Sequence, residues 1–145
     1  KSTLTSFKEP MSVFSNKLSI LMSGIISGMI LFQTAIVAPV VFRSLDGIDA
    51  SRFLRSVFPK LFLSILILGG LSLVQTFLLK SYSIIQLTVS TLTIILMGTC
   101  YIIVPATNRA RDAGNDLNFK RLHTVSVALT LIVLLVNLGS IFYNL

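Results

Sequence analysis

The residues of this chain that could carry out chemistry are few. His123 is the only histidine, Cys100 is the only cysteine, and the acidic residues are Glu9, Asp46, Asp49, Asp112 and Asp116. A haem between helices needs an axial ligand on each side, and a catalytic zinc needs about three protein ligands. One chain therefore supplies neither set, and we expect no catalytic residue, no metal site and no cofactor. His123 is the one candidate cofactor ligand, in a haem or pigment shared with another subunit.

The elements that position these residues are too apolar for a soluble domain. Of the 145 residues, 54% are hydrophobic and 12% are charged, whereas soluble domains are about 25% charged. Four stretches lack Lys, Arg, Asp and Glu, and about 20 such residues cross a hydrocarbon core of roughly 30 Å. The sequence predicts an all-α membrane protein with an N-terminal tail at 1–17 and four transmembrane helices at about 18–42, 61–79, 84–106 and 122–144.

Two of the predicted helix boundaries allow a second interpretation. Residues 61–108 as a single helix would extend about 70 Å, so we expect the chain to reverse near Lys80 and Tyr82. The first apolar run follows Lys8 and Lys17, as in a signal peptide, but its 25 uncharged residues exceed a signal core of about 7–15. We therefore expect a first transmembrane helix, with a presequence before Lys1 left open.

Basic residues distinguish one side of the predicted bundle. Eight of the twelve Lys and Arg residues lie in the connections 43–60 and 109–121. The positive-inside rule places these connections on the cytoplasmic or equivalent side. A bacterial inner membrane and a eukaryotic organelle membrane both fit this integral multi-pass arrangement.

The net charge of +7 is distributed for contact with a membrane. Basic residues at helix ends beside Phe and Leu are typical of binding to anionic lipid headgroups. We therefore predict membrane lipids and no nucleic acid as partners. The predicted headgroup contacts are Arg52, Arg55, Lys60, Lys120 and Arg121.

The two basic connections share a pattern, P-x3-R-x2-D-x6-F-x-R. The first copy recurs 66 residues later, so that Pro39, Arg43, Asp46, Phe53 and Arg55 match Pro105, Arg109, Asp112, Phe119 and Arg121. Either a two-helix hairpin is duplicated, or membrane interfaces select the same residue types twice. Because i,i+3 residues share a helix face, we expect the ion pairs Arg43–Asp46 and Arg109–Asp112.

Some stretches are also similar to a known family. They are Val41-Phe42-Arg43-Ser44-Leu45, Phe53, Phe58-Pro59-Lys60-Leu61-Phe62 and Leu117-Asn118-Phe119-Lys120-Arg121-Leu122-His123. With them the chain resembles the transmembrane-protein-205-like family, also described as domain of unknown function 4149. The resemblance implies four membrane-embedded helices and supplies no consensus active site.

Within the predicted spans, the polar residues are uncharged. Amides such as Gln33 and Asn137 can bond between helices, whereas the midplane Asp, Glu or Lys common in transporters does not occur. The first span carries four small residues that permit close approach of a second helix. They are Ser23, Gly24, Ser27 and Gly28.

These observations favour a non-enzymatic multi-pass membrane protein. It would be an accessory or structural subunit, or a scaffold, in contact with other membrane subunits or with further copies of itself. The alternative is a small-solute or ion transporter made of two related hairpins and gated by Arg43, Asp46, Arg109 and Asp112. A third hypothesis is a redox or cofactor-binding enzyme.

Overall fold

Four long helical rods make up the protein. A computed structural model describes the backbone of residues 2–79 and 83–144, and the side chains of 13–79 and 83–144. The elements are α1 (Ser2–Phe32), a π-helical turn (Gln33–Val37), α2 (Ala38–Ser44), α3 (Gly47–Leu78), α4 (Ile84–Asp112) and α5 (Asp116–Asn144). The first rod consists of α1, the π-helical turn and α2.

The predicted fold class is confirmed. In the described part of the chain, four helices are long and apolar enough to cross a membrane, namely Val13–Ser44, Gly47–Leu78, Ile84–Asp112 and Asp116–Asn144. The protein is therefore an integral multi-pass membrane protein.

The helices extend beyond the predicted spans. The predicted tail is helical from Ser2, and α3 begins at Gly47 rather than near residue 61. Helical turns thus continue the helices into the predicted connections, which shrink to 45–46 and 113–115. The predicted reversal at Lys80 and Tyr82 lies outside the described residues.

The rods form a four-sided bundle. Along its sides, α4 packs against α3 and α5, α1 packs against α5, and the contact between α1 and α3 is the least extensive. An ion pair between Arg55 of α3 and Asp112 of α4 joins the two basic connections. These connections therefore lie at one end, which we call the basic end, and Ser15 and Ser83 lie toward the opposite end.

Side-chain amides close the opposite end. The Gln75 amide donates to the Ser15 carbonyl oxygen at 3.0 Å and to the Ser19 hydroxyl at 3.2 Å, which joins α3 to α1. Asn137 of α5 donates to the Thr93 hydroxyl of α4 at 3.0 Å. Such bonds hold membrane helices together because lipid tails provide no hydrophobic drive for association.

Gln86 joins three helices within this polar layer. Its amide nitrogen donates to the Ser72 hydroxyl at 2.6 Å, and its amide oxygen accepts from the Ser140 hydroxyl at 3.4 Å. Below the layer lies an apolar core that includes Ile26, Ile65, Met97, Cys100 and Val133. Cys100 is buried there, as expected of a packing residue.

The duplicated hairpin stays a prediction. The two copies end differently, because α2 stops one residue after Arg43 whereas α4 continues three residues past Arg109. The ion pair between Arg55 and Asp112 has no counterpart between Arg121 and Asp46 among the described residues.

We expect Gln86→Leu to lower the free energy of unfolding by about 1 kcal/mol, because it removes bonds that join three helices. Unfolding by SDS titration in mixed micelles measures this change. The control is Thr88→Val, since that exposed hydroxyl donates only to the Ile84 carbonyl of its own helix. An equal loss in both variants would contradict a bundle held by the amide.

Candidate functional site

The basic end of the bundle contains a cavity. It has a volume of about 660 Å³ and is lined by side chains from all four rods. Its wall is mainly apolar and includes Phe58, Leu61, Phe62, Val104, Val127 and Leu134. Its polar lining includes Gln33, Thr34, Arg55, Asn108, Arg111 and His123.

The π-helical turn lies on the wall of this cavity. Pro39 has no N–H for a bond to the carbonyl four residues back, and its ring clashes there in a regular helix. The turn before it instead bonds the Ala38 N–H to the Gln33 carbonyl, five residues back. Such turns relieve strain in a helix and are frequent at functional sites. Here the turn places Gln33, Thr34 and Ala38 on the cavity.

Gln33 is a buried amide whose nitrogen has no hydrogen-bond partner among the described residues. The residue is only 7% exposed, and a buried polar group without a partner costs on the order of 1–3 kcal/mol. Two other buried atoms share this state, Ser27 Oγ and Gln75 Oε1, but neither residue lines the cavity. Gln33 therefore lines the cavity, while its amide nitrogen is buried within the wall without a partner in the described part of the chain.

Two guanidinium groups and an imidazole line the cavity. The Arg55 guanidinium donates to Asp112 at 2.6 Å, with side-chain exposures of 33% and 61%. The Arg111 guanidinium lies 4.7 Å above the centre of the Phe119 ring, an attractive cation–π geometry. That ring stacks on His123 with 5.8 Å between centres, so one aromatic side chain positions both groups.

The predicted ion pairs within each connection are wrong. The described residues form the pairs Arg52–Asp49 and Arg55–Asp112 instead. Asp46 has an extended backbone just before α3, so it does not share a helix with Arg43. Asp112 pairs with Arg55 of the neighbouring helix rather than with Arg109.

The four predicted gate residues are not brought together at the cavity. Arg43 and Arg109 line neither the cavity nor the shallower recess at its mouth, whereas Asp46 and Asp112 line that recess. The recess also includes Arg52, Arg55 and Arg111. His123 lies on the cavity wall, away from Cys100 in the apolar core.

The predicted small-residue surface divides into two. Ser23 and Ser27 are buried inside the bundle, but Gly28 is exposed and Gly24 is half-buried. A Cβ atom added to either glycine would meet no described atom within 4 Å. Four of the five predicted headgroup residues are exposed on the helix surface. They are Arg52, Lys60, Lys120 and Arg121, whereas Arg55 is half-buried.

The family comparison covers most of the bundle. Residues 21–116 match the model of a domain of unknown function, DUF4149. The chain belongs to this family. The DUF4149 match includes the π-helical turn, Arg55 and Asp112, and the narrower transmembrane-protein-205-like resemblance stays a prediction. No curated protein matches the chain, and neither does any solved structure.

Sequence reasoning missed Gln33 and Arg111 as parts of one site. The sequence predicts that Gln33 bonds between helices, as Gln75 and Gln86 do, but its amide nitrogen has no such bond. The sequence does contain a signal for this site. Gln33 is an amide six residues before Pro39, and a proline at that position prevents the preceding turn from staying regular.

We expect Gln33→Leu to raise the free energy of unfolding of the delipidated protein by about 1 kcal/mol, because it removes a buried donor that has no partner. SDS titration in mixed micelles measures it. The matched comparison is Gln86→Leu, the same change at a fully bonded amide, which lowers stability. A similar loss in both variants would show that Gln33 is bonded in the folded protein.

Proposed function

We propose that this protein is a non-enzymatic membrane protein that binds an amphipathic molecule in the cavity at its basic end. The observation that carries the proposal is a mainly apolar cavity whose lining also includes Arg55, Arg111 and His123. Ligand pockets of about 300–1,000 Å³ are typically apolar with a few orienting polar groups. The cavity has both properties.

The position of the polar groups supports an amphipathic occupant. A wholly polar solute would leave the apolar wall without contacts, whereas a pure hydrocarbon would offer no acceptor to the Arg55 and Arg111 guanidinium groups that also line the cavity. A molecule with an apolar tail and a polar head meets both demands. The basic end suits the cytoplasmic headgroup region, as the positive-inside rule predicts.

Ala38→Phe tests this function by filling the cavity, since Ala38 lies on its wall. We expect the variant to lose bound amphiphile because the added ring occupies the same space. Native mass spectrometry of protein released from mild detergent measures the bound mass. The control is Ala128→Phe, at an exposed position away from the cavity. Equal amphiphile on both variants, or none on the unmodified protein, would refute the function.

We also propose an accessory or structural role in a larger membrane assembly. It is supported by the outward surface of Gly24 and Gly28, where a Cβ meets no described atom within 4 Å. Small residues let two membrane helices approach closely. The occupant would be another membrane subunit or a second copy of the chain. The transporter role stays a prediction, because the residues assigned to its gate do not line the cavity together.

Gly28→Leu tests the assembly role. We expect the variant to separate from its assembly while keeping its unfolding free energy, since the added side chain points into open space. The mass of the complex in mild detergent measures the first effect. The control is Gly69→Leu, which destabilises the bundle itself, because even a Cβ at Gly69 lies 3.0 Å from Thr93 Cγ2. An unchanged mass for Gly28→Leu would contradict the role.

A further inference from the structure

We propose that the ligand is a monoacyl lipid with a phosphate head. We further propose that the Asp112 carboxylate takes the place of this phosphate on Arg55 when the cavity is empty. The proposal rests on the proposed function and names the ligand of the same cavity. It has three parts, which are the charge of the head, the number of chains and the exchange at Arg55.

The charge follows from the groups at the mouth. Arg55, Arg111 and His123 line the cavity, and no Asp or Glu does. Arg55 bonds only Asp112 among the described side chains, whereas Arg111 lies over the Phe119 ring. Both guanidinium groups can therefore donate to an added anion. Guanidinium donors match phosphate oxygens in geometry and charge.

The tail and its linkage follow from the wall and from Gln33. A volume of about 660 Å³ is mid-range for pockets that hold one small ligand, which suits one acyl chain better than two. Gln33 also lines the wall, so a polar ester linkage between tail and head suits this part of the wall better than a hydrocarbon chain.

The exchange follows from the geometry of the Arg55–Asp112 pair. The two residues are joined by one hydrogen bond, from Nη2 to Oδ1 at 2.6 Å, rather than by a bidentate pair. The Asp112 side chain is 61% exposed, so water solvates it once released. Exposed ion pairs contribute little stability, and a phosphate head can therefore replace this carboxylate. Asp112 thus lowers the affinity of the cavity for the phosphate head without blocking the cavity.

The test measures binding to the full chain in mild detergent at neutral pH. The probes are a monoacylglycerol phosphate, the monoacylglycerol with the same chain, the corresponding two-chain phosphatidic acid, and inorganic phosphate. We expect the monoacyl phosphate to bind about tenfold or more tightly than the neutral lipid, as charge-assisted hydrogen bonds would give. Phosphate alone should not compete at the same concentration, and the two-chain lipid should bind more weakly.

Substitutions separate the parts of the proposal. Arg55→Gln should remove most of the preference for the charged head, whereas Arg109→Gln, which lies off the cavity, should keep it. Asp112→Asn should tighten binding of the monoacyl phosphate severalfold and leave the neutral lipid unchanged. The control for the latter is Asp49→Asn, since Asp49 pairs with Arg52 outside the cavity.

Each contrary outcome has its own meaning. Equal binding of charged and neutral lipids overturns the anionic head while leaving the proposed function intact. Competition by phosphate alone at equal concentration overturns the lipid tail, and tighter binding of the two-chain lipid overturns the single chain. The same response to Asp112→Asn and Asp49→Asn overturns the exchange. No binding of any amphiphile overturns both the inference and the proposed function.

Discussion

The structure depends on one constraint, that lipid offers no hydrogen bonds to a polar group placed within it. Every polar side chain in the spans has to find a partner inside the protein or face a polar space. At the opposite end, Gln86 meets this constraint with both its nitrogen and its oxygen, whereas Gln75 meets it with its nitrogen alone. At the basic end, Gln33 lines the cavity and has no partner for its nitrogen among the described residues. Amides thus join the helices at one end, while the other end contains a cavity.

The difference between the two ends of the bundle is related to the backbone of the first rod. Pro39 cannot continue a regular helix, and the π-helical turn before it accommodates the missing bond. The same rod contacts α5 extensively and α3 little, so the side between α1 and α3 is the least packed. Pro59, by contrast, lies within an uninterrupted α3. The cavity therefore lies beside the point where the first rod departs from regular helical geometry.

The helices could be predicted from the sequence, but the cavity could not. Uncharged runs of sufficient length identify four spans because the bilayer fixes the length of a helix. The predicted spans are too short at the basic end, because residues such as Phe53 and Leu54 already belong to α3. The partners of the charged side chains could not be predicted from sequence spacing. Asp112 is three residues from Arg109 in sequence, yet Arg55 reaches it from another helix, and only the packing of α3 against α4 determines that contact.

The two basic connections also show why sequence similarity does not determine the site. Arg55 and Arg121 occupy matching positions of the shared pattern, as do Asp46 and Asp112. Of these four residues, only Arg55 and Asp112 form an ion pair, because Asp46 precedes α3 in extended backbone while Asp112 ends α4. If duplication made the pattern, the two halves have since diverged. One charged pair now lies beside the cavity, which Arg55 lines from α3 and Arg111 lines from α4.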